Sequence, residues 1–264
     1  KSVWTDLQQA YKFGSLIRLE EKLSIQLHGL TQQFQGTQLS FFTEDTLVNY
    51  EQFRDNFFNS LQKAVVKNTA RQGQTFLNTK TLDAITFLQL LTQKYDVAVA
   101  NPPYTDSESF GPELKTFIEA NYKKPFNFST NLYVTFVKRG FELLNENGFY
   151  ASIQPMTFMY IKSFEEVRKY LLNHAKIECI ADLGLGGVFM TNYVVVYAAM
   201  SIYRKTSHPN GDSIFLNFQA YHGQLNKQEL FTSAFDNYLK GIADKHIYSI
   251  PQEKLKIIEG WPFI

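Results

Sequence analysis

Four consecutive residues, Asn101-Pro102-Pro103-Tyr104, place a carboxamide, two rigid imino acids and an aromatic plane directly after an apolar run. An exocyclic amino nitrogen on a base or an amide is a poor nucleophile, because its lone pair is delocalised into the neighbouring π system. Two hydrogen-bond acceptors, the Asn101 side-chain oxygen and the Pro102 carbonyl, can each take one amino proton and so favour a tetrahedral nitrogen with a localised lone pair. Acceptors fixed in advance need little reorganisation as charge develops. Tyr104 adds a flat surface on which a planar substrate can stack, worth roughly 1–3 kcal/mol per base.

Chemistry of this kind needs an element that delivers the corner and a stop that holds it. Val97, Ala98, Val99 and Ala100 form a short unbroken apolar run, as expected of a central strand covered on both faces in a parallel sheet. Pro102 and Pro103 end it, since neither donates to a ladder and each locks its own φ. Asn101 is thereby left at the carboxyl end of a strand, where open α/β sheets bind their ligands. A helix over 81–92, with Leu82, Ile85, Leu88 and Leu91 on its apolar side, leads into that strand. Before it, the spacing of Leu47, Tyr50, Phe53, Phe57, Leu61, Ala64 and Val65 predicts a long amphipathic helix over 43–71, with Thr43 and Asp45 as cap candidates.

Beyond Tyr104 the stretch 105–130 lacks clean periodicity and reads as a loop, substrate-facing or plain surface. A helix over 131–145 closed by Gly148, then a strand over 149–153 ending at Pro155, continue the α/β alternation. Ser163 and Glu166 have the spacing of a capping box for the next helix, and 177–183 reads as a strand. The run 193–203 is strongly β-forming, 214–218 is a further strand and 228–239 a helix, while 250–251 and 261–264 look like connecting segments.

Asn101-Pro102-Pro103-Tyr104 resembles the catalytic motif of amino-group methyltransferases that use S-adenosylmethionine, chiefly the adenine-specific DNA enzymes. The wider run 95–205, and more loosely Tyr11-Lys12-Phe13-Gly14-Ser15-Leu16-Ile17, is similar to the large methylases of bacterial restriction-modification and BREX phage-defence systems, the PglX-like enzymes. The resemblance implies an α/β fold, the carboxyl-terminal part of a Rossmann-like methyltransferase sheet with flanking helices, preceded by a helical segment. It divides the chain into a mainly helical lead-in (1–92), the catalytic half of the methyltransferase domain (93–205) and an extension toward a target-recognition region (206–264). It assigns catalysis to Asn101, Pro102, Pro103 and Tyr104. Gly187-Val188-Phe189 before a long strand resembles the segment that supplies a second aromatic contact, so Phe189 joins Tyr104 as a substrate-binding candidate for an extruded adenine. The competing reading of Phe189 is a core side chain at a strand entrance.

Composition bounds the rest. At 264 residues, with 44% hydrophobic and 19% charged residues, the chain is expected to be a folded soluble protein of one large or two small domains. No apolar run approaches a membrane span, Lys1-Ser2-Val3-Trp4-Thr5-Asp6 lacks a signal-peptide pattern, and the single cysteine, Cys179, fits a core position, so a cytoplasmic setting is expected. A net charge of +1 with only local basic clusters, Lys123-Lys124 and Lys138-Arg139, leaves little for phosphate neutralisation. If DNA is the partner, it is gripped mainly elsewhere in a longer protein, in company with other restriction or defence-system subunits. The five histidines, His28, His174, His208, His222 and His246, have no metal-ligand spacing.

Asp182-Leu183-Gly184-Leu185-Gly186-Gly187 is an acid followed by alternating glycines, as in a loop that cradles S-adenosylmethionine. Such a loop precedes a helix, whereas a β-forming run follows here, so the stretch is expected not to bind cofactor. Upstream, Gly14, Gly29, Gly36 and Gly73 stand alone. S-adenosylmethionine is therefore expected to be held mainly by polypeptide outside this chain, which alone should be inactive. Methylation of RNA or of a protein glutamine uses the same four residues, and a non-catalytic binding module of a defence complex needs none of their chemistry.

Overall fold

The computed structural model describes residues 12–18, a set of positions between Gln52 and Val66, and residues 75–185, 197–220 and 227–263. The chain divides into two compact units, Lys1–Lys94 and Tyr95–Ile264.

In the first unit, a 3₁₀ turn at Gly14–Leu16 buries Leu16, and the described positions from Gln52 to Val66 are helical, with Phe58 buried among them. The stripe and caps expected over 43–71 fall outside the described residues. Helix α1, Thr75–Thr92, starts earlier than the expected 81. Ile85 and Leu91 are buried, and the last turn closes with Thr92 Oγ1 donating to the Leu88 carbonyl at 3.0 Å. No described helix is long and apolar enough to cross a membrane.

The second unit is built on a mixed sheet of six strands: β1 (Tyr95–Ala100), β2 (Leu144–Pro155), β3 (Ala175–Leu185), β4 (Tyr197–Lys205), β5 (Asp212–Asn217) and β6 (Ile247–Pro251). Their spatial order is β1-β2-β4-β3-β5-β6, with β1 parallel to β2, β3 parallel to β5, and β4 and β6 antiparallel to their neighbours. Strands from beyond Lys205 thus extend the same sheet. Between β1 and β3 lie α2 (Pro112–Tyr122), α3 (Leu132–Leu143) and α4 (Glu165–His174); α5 (Lys227–Leu239) and the single turn α6 (Gln252–Leu255) come later. This is the α/β architecture expected.

The period-2 alternation of the strands sorts the sheet into two faces. On one, α3 covers β1 and β2 and α4 covers β3, with Phe141 against Tyr150 (5.6 Å) and Tyr203 (6.1 Å). On the other, α5 packs over Ala181, Leu183, Leu216 and Ile247. Cys179 lies against this second core, and burial raises its thiol pKa to about 11, consistent with a packing role. The cover stops short of β1, where Val97 and Val99 are 58% and 77% exposed, in register with exposed Phe149 and with Ala151. The expectation of a central strand buried on both faces is therefore corrected: β1 is an edge strand, hydrogen-bonded among the described residues to β2 alone. An apolar run reports what a strand is suited to bury, not whether a neighbour is present to bury it.

Other boundaries moved. Gly148 lies within β2 instead of closing a helix, which ends at Leu143. The capping box fails: Phe164 precedes α4 with no side-chain cap, and Lys169 bridges Glu165 (3.0 Å) and Glu166 (2.9 Å) instead. Segment 105–130 contains α2, whose buried positions are Ile118 and Tyr122, too short a stripe to register as periodic; Pro112 at its start was the available signal. At 250–251 the chain is β6, followed by α6, where buried Gln252 accepts from the Ile177 N–H (2.8 Å) and donates to the Ala175 carbonyl (2.7 Å).

Close packing of α3 on β2 depends on Gly140. A Cβ there would lie 2.3 Å from the Tyr150 ring, which is itself buried against Phe141. Helix propensity favours alanine by about 1 kcal/mol, but overpacking a filled core costs about 1–3 kcal/mol. Gly140→Ala is expected to lower stability, read as an earlier midpoint in urea.

Candidate active site

β1 ends at Ala100, and its parallel pairing with β2 runs to the last residue, Ala100 opposite Ser152. Asn101 follows, exposed; Pro102 is buried, Pro103 exposed and Tyr104 half-buried. The buried proline anchors the turn while the carboxamide beside it stays open to solvent. Asn101 therefore lies outside the packed hydrocarbon, at the carboxyl end of the sheet.

The way out of the turn is pinned as well. Asp106 forms an antiparallel bridge with Asn131, the residue preceding α3: Ser107 N–H donates to the Thr130 carbonyl (3.0 Å) and Leu132 N–H to the Thr105 carbonyl (3.0 Å). The Asn131 amide also donates to the Asp106 carboxylate. The 24 residues between the two are thus closed off as a loop carrying α2, and the corner is fixed to the sheet on one side and to a helix start on the other.

Tyr104 meets Tyr133, in the first turn of α3, edge to face at 6.4 Å and 86°. Tyr133 is buried; its ring packs on Phe164 at 5.6 Å and its hydroxyl faces Thr157. Burial raises both phenol pKa values, and for Tyr133 the nearby Asp106 carboxylate adds to the rise while the Thr157 side chain opposes it. Both rings stay neutral, as stacking surfaces require. Asp106, Asn131 and Tyr133 were not singled out as site residues in the sequence, because the pairing that gives Asp106 and Asn131 meaning joins positions far apart in the chain. Tyr133 was hidden among the apolar residues of a helix.

Phe189, with Gly186, Gly187 and Val188, lies outside the described residues, so its distance from Tyr104 stays an expectation. The basic pair Lys138-Arg139 is taken up within the fold. Arg139 is buried, and Lys138 sits 4.8 Å over the Tyr170 ring and 3.4 Å from Glu142, so neither is a free surface cation for phosphate. Lys123 and Lys124 are exposed at the end of α2. Among the described residues, no group of three or more His, Cys, Asp or Glu is placed to hold a metal ion.

The Asp182 turn does not fit S-adenosylmethionine. Its carboxylate accepts from the Gly184 N–H (2.9 Å) and from the Gln219 amide, and Lys227 donates to the Leu183 carbonyl. A Cβ at Gly184 would lie 2.8 Å from the Gln219 Cα, so the chain's own backbone already fills the space beside the glycine. The acid that resembled a cofactor ligand is a structural knot joining β3 to the segment after β5.

Comparison with known proteins gives the same direction. The Eco57I restriction-modification methylase family matches residues 10–189. The adenine-specific methyltransferase BrxX of Escherichia coli O9:H4 (strain HS) is 38% identical over 96 residues, 36% of this chain and 8% of that protein. The adenine-specific methyltransferase PglX of Lacticaseibacillus casei (strain Zhang) is 24% identical over 172 residues, 65% of this chain and 14% of that protein. The chain thus spans a small part of the length of these relatives. Among solved structures, one of a type I restriction-modification system superposes with a TM-score of 0.50 at 17% identity, over 66% of this chain and 37% of that one, a likeness of fold. By the extent of the family match, the chain belongs to the Eco57I restriction-modification methylase family.

Proposed function

We propose that this chain is the base-accepting half of a site-specific DNA methyltransferase that modifies the exocyclic amino group of adenine, acting in restriction-modification or phage defence. The observation that carries the reading is the corner itself: a carboxamide open to solvent at the carboxyl end of β1, beside a buried proline, followed by a braced aromatic ring. The Asn101 oxygen and the Pro102 carbonyl each accept one amino hydrogen, which raises electron density on the nitrogen. Tyr104 offers one stacking surface for the extruded adenine and Phe189 a second; together they offset the few kcal/mol lost when a base leaves the duplex. Pro103 stiffens the turn.

S-adenosylmethionine is the methyl source in this proposal, held by polypeptide beyond the described residues. The edge of β1 left unpaired among the described residues, and the exposed Val97 and Val99, support that division, since a further strand and its helix would add there. The near-neutral charge supports a second division, in which DNA is gripped by other regions or by other restriction or defence-system subunits. The setting proposed is the cytoplasm, where host DNA lies.

The test is nucleoside analysis of DNA from cells with and without the full-length protein. N6-methyladenine that depends on the protein is the expected result. Its absence, with the mark found on RNA or on glutamine instead, would overturn the choice of substrate.

A further inference from the structure

We propose that Tyr133 is a positioning residue for the candidate site, holding the Tyr104 ring at the angle at which a base stacks on it. The proposal rests on the reading of Tyr104 as the stacking surface. Tyr133 meets the corner at Tyr104, edge to face at 6.4 Å and 86°. Such an edge-to-face pair leaves at least one flat face of each ring uncovered by the other while restraining rotation.

Three independent contacts fix Tyr133 itself. Its ring lies against Phe164 at 5.6 Å, its hydroxyl faces Thr157, and its backbone is the second residue of α3, two positions after the Asn131 that is bound to Asp106. Thr157 is no loose partner. It lies in the 3₁₀ turn Met156–Met159 that directly follows β2, and Arg168 holds that segment through the Phe158 carbonyl at 2.9 Å and the Ile161 carbonyl at 2.7 Å. A buried tyrosine serving the core alone is equally well replaced by phenylalanine, which packs without the cost of sinking a hydroxyl. Here the residue is 2% exposed and its hydroxyl faces Thr157 of the loop after β2, which fixes where the far end of the ring sits.

Preorganisation makes the expected effect definite. A ring that must be immobilised by the substrate gives up part of the stacking gain, a loss corresponding to about 3- to 10-fold in affinity. The experiment uses the full-length protein and a duplex bearing the recognition sequence mapped from methylated host DNA, with 2-aminopurine at the target adenine for binding and adenine for turnover. Tyr133→Leu is expected to raise KM about 3- to 10-fold, with a smaller change in kcat, and to relieve the quenching of the extruded 2-aminopurine by Tyr104. Tyr133→Phe, which keeps the packing, gives a smaller shift in the same sense and covers the case of a Leu variant that does not fold.

Both effects should vanish in a Tyr104→Ala background, because a residue acting through Tyr104 has nothing left to position. Unchanged KM and quenching in the Phe and folded Leu variants overturn the proposal, as do losses that add to those of Tyr104→Ala. If Tyr104→Ala alone leaves methylation and quenching unchanged, the underlying reading of Tyr104 fails, and the proposal with it.

Discussion

Replacing Asn101 with alanine in the full-length protein is expected to lower methyl transfer to adenine by at least about 10²–10³-fold, the usual consequence of deleting one preorganised polar group from a reacting centre. The expected cost to folding is close to nothing. Asn101 is exposed, follows the last residue of β1, and no core contact or strand pairing depends on its side chain. The two readouts must therefore separate: unchanged urea midpoint and unchanged duplex binding, with label from the methyl donor no longer appearing in DNA. Turnover within tenfold of the unsubstituted enzyme would remove Asn101 from the reaction. Loss of the fold would show that the corner is a structural stop and nothing more.

The largest effect on stability is expected at Arg168. Its guanidinium is 1% exposed and donates to four backbone carbonyls: Phe158 (2.9 Å) and Ile161 (2.7 Å) in the turns after β2, and Gly260 (2.7 Å) and Trp261 (3.0 Å) near the end of the described chain. Burial lowers its pKa and Glu165 counters this, but a guanidinium starts so high that it stays charged. The same junction is closed by Phe263 N–H donating to the Met159 carbonyl (2.9 Å) and by Phe158 edge-on to Phe263 at 6.0 Å. Arg168→Met keeps much of the volume and removes every donor, leaving buried carbonyls unpaired. Leaving a buried acceptor unpaired costs about 1–3 kcal/mol, and a loss of at least about that size is expected here by urea denaturation. Limited proteolysis should cut the 259–263 segment first. A loss below about 1 kcal/mol would mean that water satisfies the carbonyls and that the segment is held by its phenylalanine alone.

These two sites differ in how far the sequence announces them. Asn101-Pro102-Pro103-Tyr104 is contiguous, so local chemistry and the stop imposed by two prolines are visible in a string of letters. Arg168 is one basic residue in a charged helix, and nothing nearby in sequence marks it as buried. Its partners lie 7 to 93 positions away, and only the folded chain brings their carbonyls to one point.

The same distinction runs through the fold. Strong periodicity and punctuation located α3, α4, α5 and most strands to within a few residues, because those signals are local. Segment 105–130 hid α2, since a helix buried at Ile118 and Tyr122 alone has too narrow a stripe to show a period. Gly184 and its neighbours carried the right letters for a cofactor loop, and the structure spends them on a tight join between Asp182 and Gln219. Composition cannot distinguish a carboxylate waiting for a ribose from one already occupied by its own chain.

What the sequence determined by itself is the candidate corner Asn101-Pro102-Pro103-Tyr104 and the α/β alternation that delivers it, because each depends on residues adjacent in the chain or one helical turn apart. Tertiary structure alone decided that β1 lies at an edge among the described residues with Val97 and Val99 exposed, that Asp106 is tied to Asn131, and that Tyr133 meets Tyr104. Those facts concern which surfaces meet. Pairing between distant segments is set by the free energy of the whole packed sheet, and no window of neighbouring residues contains it.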